Sequence, residues 1–146
     1  KNRTVTEAKT RMNAKFVPSS TVGRETLEWG ILGSVSRPSV TGAQQLTILE
    51  VTLLPGQGHN FHKHPDQEEV IVAVEGEVEQ WLEGDKRKLQ PGDAAFIGKC
   101  VVHASFNVSL APIKLLAILG PCVGDAGNDG YVTVDMSGEA PYNALR

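Results

Sequence analysis

Short runs of β-forming residues, each stopped by glycine or proline, fill this chain and leave no room for a long helix. Gln45–Leu54 (QLTILEVTLL) is rich in β-branched residues and ends at Pro55-Gly56. Glu69–Val74 stops at Glu75-Gly76, and Glu77–Leu82 stops at Gly84-Asp85, a hairpin signal. Lys86–Leu89 runs into Pro91-Gly92-Asp93, Ala94–Ile97 into Gly98, and Ile113–Leu119 into Gly120-Pro121; His103–Asn107 and Tyr131–Val134 complete the set. Strands this short and this evenly spaced predict an all-β, antiparallel sandwich or barrel. The 15 Gly and 8 Pro are then punctuation between strands.

With 146 residues the chain has the length of one domain. A chain of this size buries about two thirds of the surface its unfolded form exposes, so folding requires neither metal nor disulfide. Its make-up, 40% hydrophobic and 21% charged, is ordinary for a globular protein and argues against disorder. The net charge of −3, with no basic cluster, excludes the usual electrostatics of nucleic-acid binding. No apolar run approaches the roughly 18 residues of a membrane-spanning helix. Cys100 and Cys122 match no zinc or redox spacing, so a reducing, cytoplasmic compartment is the expectation. A removed secretion signal stays open, because the sequence starts at Lys1 rather than Met. The expected layout is an N-terminal arm over residues 1–26, a barrel over 27–135 and a loose tail over 136–146. A short helical stretch is expected at Thr6–Lys15, closed by Pro18.

Three of the four histidines are placed for chemistry. His62 and His64 are two apart in a segment that reads as β, so both side chains leave one face, about 6–7 Å apart along the strand. Two imidazoles so arranged can converge on one ion. Glu69 opens the next strand and His103 a later one. Three nitrogens and one carboxylate make a metal site, with positions left open on an ion that takes five or six ligands. His59 fits no such pattern and is expected at the surface.

These residues stand in two segments that resemble the motifs of the cupin family. The first family motif, G-x5-H-x-H-x3–4-E-x6-G, is met at Gly56, His62, His64, Glu69 and Gly76. The second, G-x5-P-x-G-x2-H-x3-N, is met at Gly92, His103 and Asn107, while Gly98 stands where Pro is usual and Cys100 where Gly is usual. The resemblance implies a jelly-roll β-barrel, also called a double-stranded β-helix. It implies a divalent transition metal in the barrel's mouth (Fe, Mn, Ni or Zn) held by His62, His64, Glu69 and His103. It also implies a homodimer, with residues 1–20 and the Leu46–Leu54 region as candidates for strand exchange.

Strand parity extends the reading. Glu68 and Glu69 point to opposite sides of a strand, and the family spacing to Gly76 selects Glu69, with Ile71 and Ala73 beside it inside and Glu68 in solvent. Ser105 and Asn107 share the side of His103, while Ala104 and Phe106 face away. Val78, Gln80 and Leu82 share a face; Gln80 is either a polar group inside the barrel or a rim residue in solvent. Gln80 and Ser105 are the candidate substrate-binding residues. Cys100 is expected as a small buried hydrophobe, although its place in a glycine position puts the loop's backbone in question. Trp29 and Trp81 are expected as core or dimer contacts, and Glu75, Glu77, Glu79, Glu83 and Asp85 as solvated acids.

A divalent ion held by three His and one Glu keeps a single net positive charge and open positions for two neighbouring oxygens of an enediol, an α-keto acid or a catechol-like diol. The leading expectation is a metal-dependent enzyme on a small oxygenated metabolite, of dioxygenase type, with Glu69 as the catalytic base. The alternatives are a non-redox lyase or isomerase of a sugar acid or similar compound, and a metal-anchored binding protein without turnover.

Overall fold

A period of two in burial runs through the long strands: β3 (Thr47–Leu53) and β10 (Ile113–Gly120) alternate buried and half-buried residues along their whole length. The computed structural model describes residues 13–146. The other strands among them are β1 (Gly23–Leu27), β2 (Gly30–Ser36), β4 (Gly58–Lys63), β5 (Glu68–Glu75), β6 (Val78–Leu82), β7 (Asp85–Leu89), β8 (Ala94–Ile97), β9 (His103–Phe106) and β11 (Val134–Asp135). They form two antiparallel sheets, ordered β1-β2-β3-β10-β5-β8 and β11-β4-β9-β6-β7. From β3 onward the chain crosses repeatedly between the sheets, which makes the fold a jelly roll. The one α-helix among the described residues, α1 (Pro38–Thr41), is a single turn, and no helix there is long and apolar enough to cross a membrane. The helical stretch expected at Thr6–Lys15 lies mostly outside the described residues, and Asn13–Lys15 are not helical.

The inward faces pack Leu49, Val51, Leu53, Ile71, Ile97, Leu115 and their neighbours into one aliphatic core between the sheets. Turn chemistry sets the register around it. Glu83, at φ 53°, and Gly84 make the two-residue connection of the β6–β7 hairpin. Gly58 lies against β9 so closely that a Cβ would run into Phe106 and the Ser105 carbonyl, which only glycine avoids.

A second, aromatic cluster lies on the outer face of the five-stranded sheet: Phe61, Trp81, Val102, Ala104 and Phe106. The segment expected as a loose tail covers it. Met136, Tyr142 and Leu145 pack against the cluster, and the Met136 N–H donates to the Phe61 carbonyl at 2.9 Å. Arg146 lies over the Phe106 ring at 3.8 Å and reaches Glu79 at 2.9 Å. Two acids expected in solvent are therefore engaged: Glu79 with Arg146, and Glu83 with the Val102 N–H and the Tyr142 hydroxyl. The aromatic residues expose more surface than the sheet alone can hide, and the tail supplies the missing layer.

The outer face of the six-stranded sheet has no such cover among the described residues. Val70, Val72, Leu116 and Ile118 are half-buried there, and Phe96 and Leu46 are 62% and 53% exposed. Within the Leu46–Leu54 region, expected as a candidate for exchange, β3 is hydrogen-bonded to β2 on one side and β10 on the other.

Candidate metal centre

Strand pairing brings the four side chains together. His62 on β4 lies directly across from His103 on β9, His64 follows one residue beyond the end of β4, and Glu69 comes from β5 of the other sheet. Their ligand-type atoms all lie within 4.8 Å of one another. All four are buried, His103 completely. The ring centroids stand 4.2 Å apart for His62 and His103, 5.1 Å for His62 and His64, and 5.2 Å for His64 and His103.

Each imidazole is anchored by its outer nitrogen. The Nδ1 atoms of His62, His64 and His103 lie 2.6, 2.8 and 3.0 Å from the carbonyls of Asn60, Val132 and Val101. A carbonyl can only accept, so each Nδ1 carries the proton and each Nε2 turns a lone pair inward. Glu69 Oε1 stands 2.7 Å from His103 Nε2 and 3.4 Å from His64 Nε2. The shorter approach lacks hydrogen-bond geometry, and both atoms are buried without a hydrogen-bond partner. Two buried acceptors facing each other are costly, at about 1–3 kcal/mol each, unless a cation lies between them. The cluster fits a divalent metal site.

Without an ion the four groups do not share one tendency: Glu69 and His62 take the forms a cation needs, and His64 is drawn toward its protonated form. Burial by itself would raise the Glu69 pKa, but the adjacent His103 and His64 imidazoles outweigh it and hold the carboxyl well below the usual carboxylate range. Burial, reinforced by His59 and His103, pushes His62 far down and keeps it neutral. Burial opposes protonation of His64 as well, yet contact with Glu69 raises it overall.

Gln67 ties this centre to a distant loop. It is 1% exposed, and its amide donates to the carbonyls of Pro121 and Gly130 at 2.8 and 2.9 Å while accepting from the Val132 N–H at 3.2 Å. The same Val132 holds His64 through its carbonyl. Arg37 pins the loop from its other side, donating to the Asp129 and Asn128 carbonyls. No sequence spacing points to these contacts, although Gln67 shares the parity of Glu69.

A cavity of about 50 Å³ opens beside the cluster, walled by Trp29, Leu32, Leu49, Val51, Leu119 and Tyr131. His59 lines it too, against the expectation of a surface position. Its ring stacks on His62 at 3.8 Å and parallel to Trp29 at 5.4 Å, and burial pushes its pKa down to about 4. The cause is a bulge. His59 pairs with Ser105 and His62 with His103, so β4 spends one more residue than β9 over this stretch. The extra residue resets the alternation and turns both histidines inward.

Gln80 and Ser105 are buried inside the barrel, as parity allowed, but they do not line this cavity. Ser105 donates to Gln80 Oε1 at 2.6 Å, so the two satisfy each other. Asn107 ties the 107–111 turn to β3 through the Leu53 and Ala111 carbonyls. Cys100 is exposed rather than buried. It adopts φ 65°, the backbone that glycine would supply, and its N–H donates to the His64 carbonyl at 3.0 Å. Glu68 is exposed, as expected.

Comparison with known proteins agrees with this arrangement. The model of the cupin domain family matches residues 49–119, the stretch that carries all four side chains. The chain belongs to the cupin superfamily. This cupin is 42% identical over 60 residues to an uncharacterized protein of Aquifex aeolicus, a match covering 41% of the chain and 49% of that protein. Among solved structures it resembles KdgF from Halomonas sp., with a TM-score of 0.65 and 20% identity over 73% of this chain and 94% of the other. It also resembles the oxalate decarboxylase of Bacillus subtilis, a protein with Mn(II) centres. There the TM-score is 0.63 and the identity 20%, over 76% of this chain and 29% of that one. At these identities the likeness to solved structures is one of fold.

Proposed function

We propose that this cupin is a metal-dependent enzyme acting on a small oxygenated metabolite, with dioxygenase-type oxidoreduction as its reaction class. The carrying observation is that three Nε2 lone pairs and one carboxylate converge at the wall of a small, apolar cavity. His62, His64, Glu69 and His103 would hold a divalent transition metal, which when bound supplies Lewis-acid polarisation and, for Fe, Mn or Ni, redox chemistry with dioxygen. The chain's own part is preparation. The three carbonyl anchors aim the imidazoles, the apolar walls exclude water, and Glu69 is the carboxylate placed to take a proton from a substrate as it ionises.

A non-redox lyase or isomerase is the second reading, favoured by His59, whose neutral ring lines the same cavity outside the four converging side chains. Elemental analysis of protein purified without chelator, followed by oxygen uptake against a panel of diols and keto acids, tests both. Stoichiometric metal with oxygen-dependent turnover is expected. Turnover unchanged under anaerobic conditions would replace the first reading by the second, and metal-loaded protein with no turnover would leave a binding protein.

The same chain is proposed to form a homodimer through the bare outer face of the six-stranded sheet. Phe96 lies across from Val70 on that face, and Val70 across from Ile118. Phe96→Glu is expected to give monomers by light scattering.

A further inference from the structure

The cavity's walls constrain the charge of what it can hold. Leu32, Leu49, Val51 and Leu119 supply hydrocarbon, and no Lys or Arg among the described residues lines the space. Arg37 comes only as far as the outer side of Tyr131, at 5.2 Å from the ring centroid, and is committed to Asp129, Ser34 and the loop carbonyls. Outside the four converging side chains the wall offers no fixed charge; its remaining polar side chains are His59, Tyr131 and Trp29. The His59 ring is stacked against His62 and Trp29.

The charge count follows from the same residues. A divalent ion together with Glu69 leaves one positive charge in the site. A singly charged chelating ligand neutralises it. A dianion leaves a negative charge against hydrocarbon, with no Lys or Arg to pair it and little room for water, which is the costly case for any buried ion. The cavity's 50 Å³ holds only a few water-sized groups.

We infer that this cavity selects a small chelating molecule with at most one negative charge and an apolar remainder, the class of 2-oxo monocarboxylates and singly ionised enediols, and disfavours dicarboxylates and polyhydroxy acids. The inference rests on the metal-dependent reading above and narrows its substrate class.

Pyruvate and oxalate test it. They have the same number of non-hydrogen atoms and close the same chelate ring, and differ by a methyl group in place of an anionic oxygen. Their dissociation constants are measured by calorimetry on protein loaded with Mn(II), after assay of the metal content. The ratio of the two is then compared with the ratio for Mn(II) free in the same buffer. The expected result is a shift toward pyruvate of about tenfold or more, the signature of one unpaired charge at an apolar wall. An unchanged ratio, a shift toward oxalate, or no binding of either probe overturns the inference. Protein that takes up no Mn(II) overturns it together with the metal-dependent reading. The shifted ratio without turnover of any chelator removes the enzymatic reading and leaves the selectivity standing.

Discussion

The two faces of the five-stranded sheet are made by the same strands and serve opposite ends. On β9, His103 and Ser105 point into the barrel while Ala104 and Phe106 point out, and all four are buried. The inner face holds imidazoles whose inward nitrogens await a cation. The outer face holds aromatic rings packed edge to face, with Phe61 5.5 Å from Trp81 and 6.2 Å from Phe106, under the C-terminal segment. Cohesion therefore comes from the outer face and the aliphatic core, and the candidate metal site from the inner face. Burial alone does not say which is which; the partner each side chain meets does.

Substitutions on the two faces should separate metal binding from stability. His103→Ala is the largest expected break: stoichiometric metal is lost on dialysis, while the metal-free protein melts closer to the parent than an outer-face variant does. Stoichiometric metal surviving in His103→Ala would refute the assigned set of four. Phe61→Ala should do the reverse, costing about 3–5 kcal/mol in denaturant unfolding as a large buried ring is removed, while the folded fraction still takes up metal. Gln67→Ala lies between the faces. Without its amide the Val132 carbonyl no longer holds His64 firmly, and metal affinity should fall by about 10–100-fold with the fold retained by circular dichroism. The smallest effect is expected from Tyr142→Phe, which removes the solvent-accessible bond to Glu83 and should cost about 1 kcal/mol or less by thermal unfolding. A larger loss there would mean that the C-terminal segment is held by that bond rather than by its apolar contacts.

Much of this was legible in the residues. The strand ends at Pro55-Gly56, Gly84-Asp85 and Gly98 stand where turn chemistry put them, and the four converging side chains are those the two motifs named. Parity correctly separated Glu69 from Glu68 and His103 from Ala104. His59 was misplaced because it fits no ligand spacing, and its inward turn comes from the bulge in β4 between His59 and His62, which no spacing announces. Gln80 and Ser105 faced inward as parity allowed, yet they were satisfied by each other, which no pattern on either strand reveals. Cys100 was misjudged by residue type: its backbone took the glycine conformation while its side chain stayed in solvent.

What the amino-acid sequence determined by itself was local or periodic: which runs are strands, where they turn, and which residues share a side. These follow from backbone sterics and from the two-residue repeat, which act within a few residues. Tertiary structure alone decided the matters of long separation: the bulge that brought His59 to the cavity, the Gln67 amide that reaches Gly130, and the C-terminal segment that covers Phe61 and Phe106. Each depends on which segments meet across the barrel, and that outcome belongs to the packing of the whole chain.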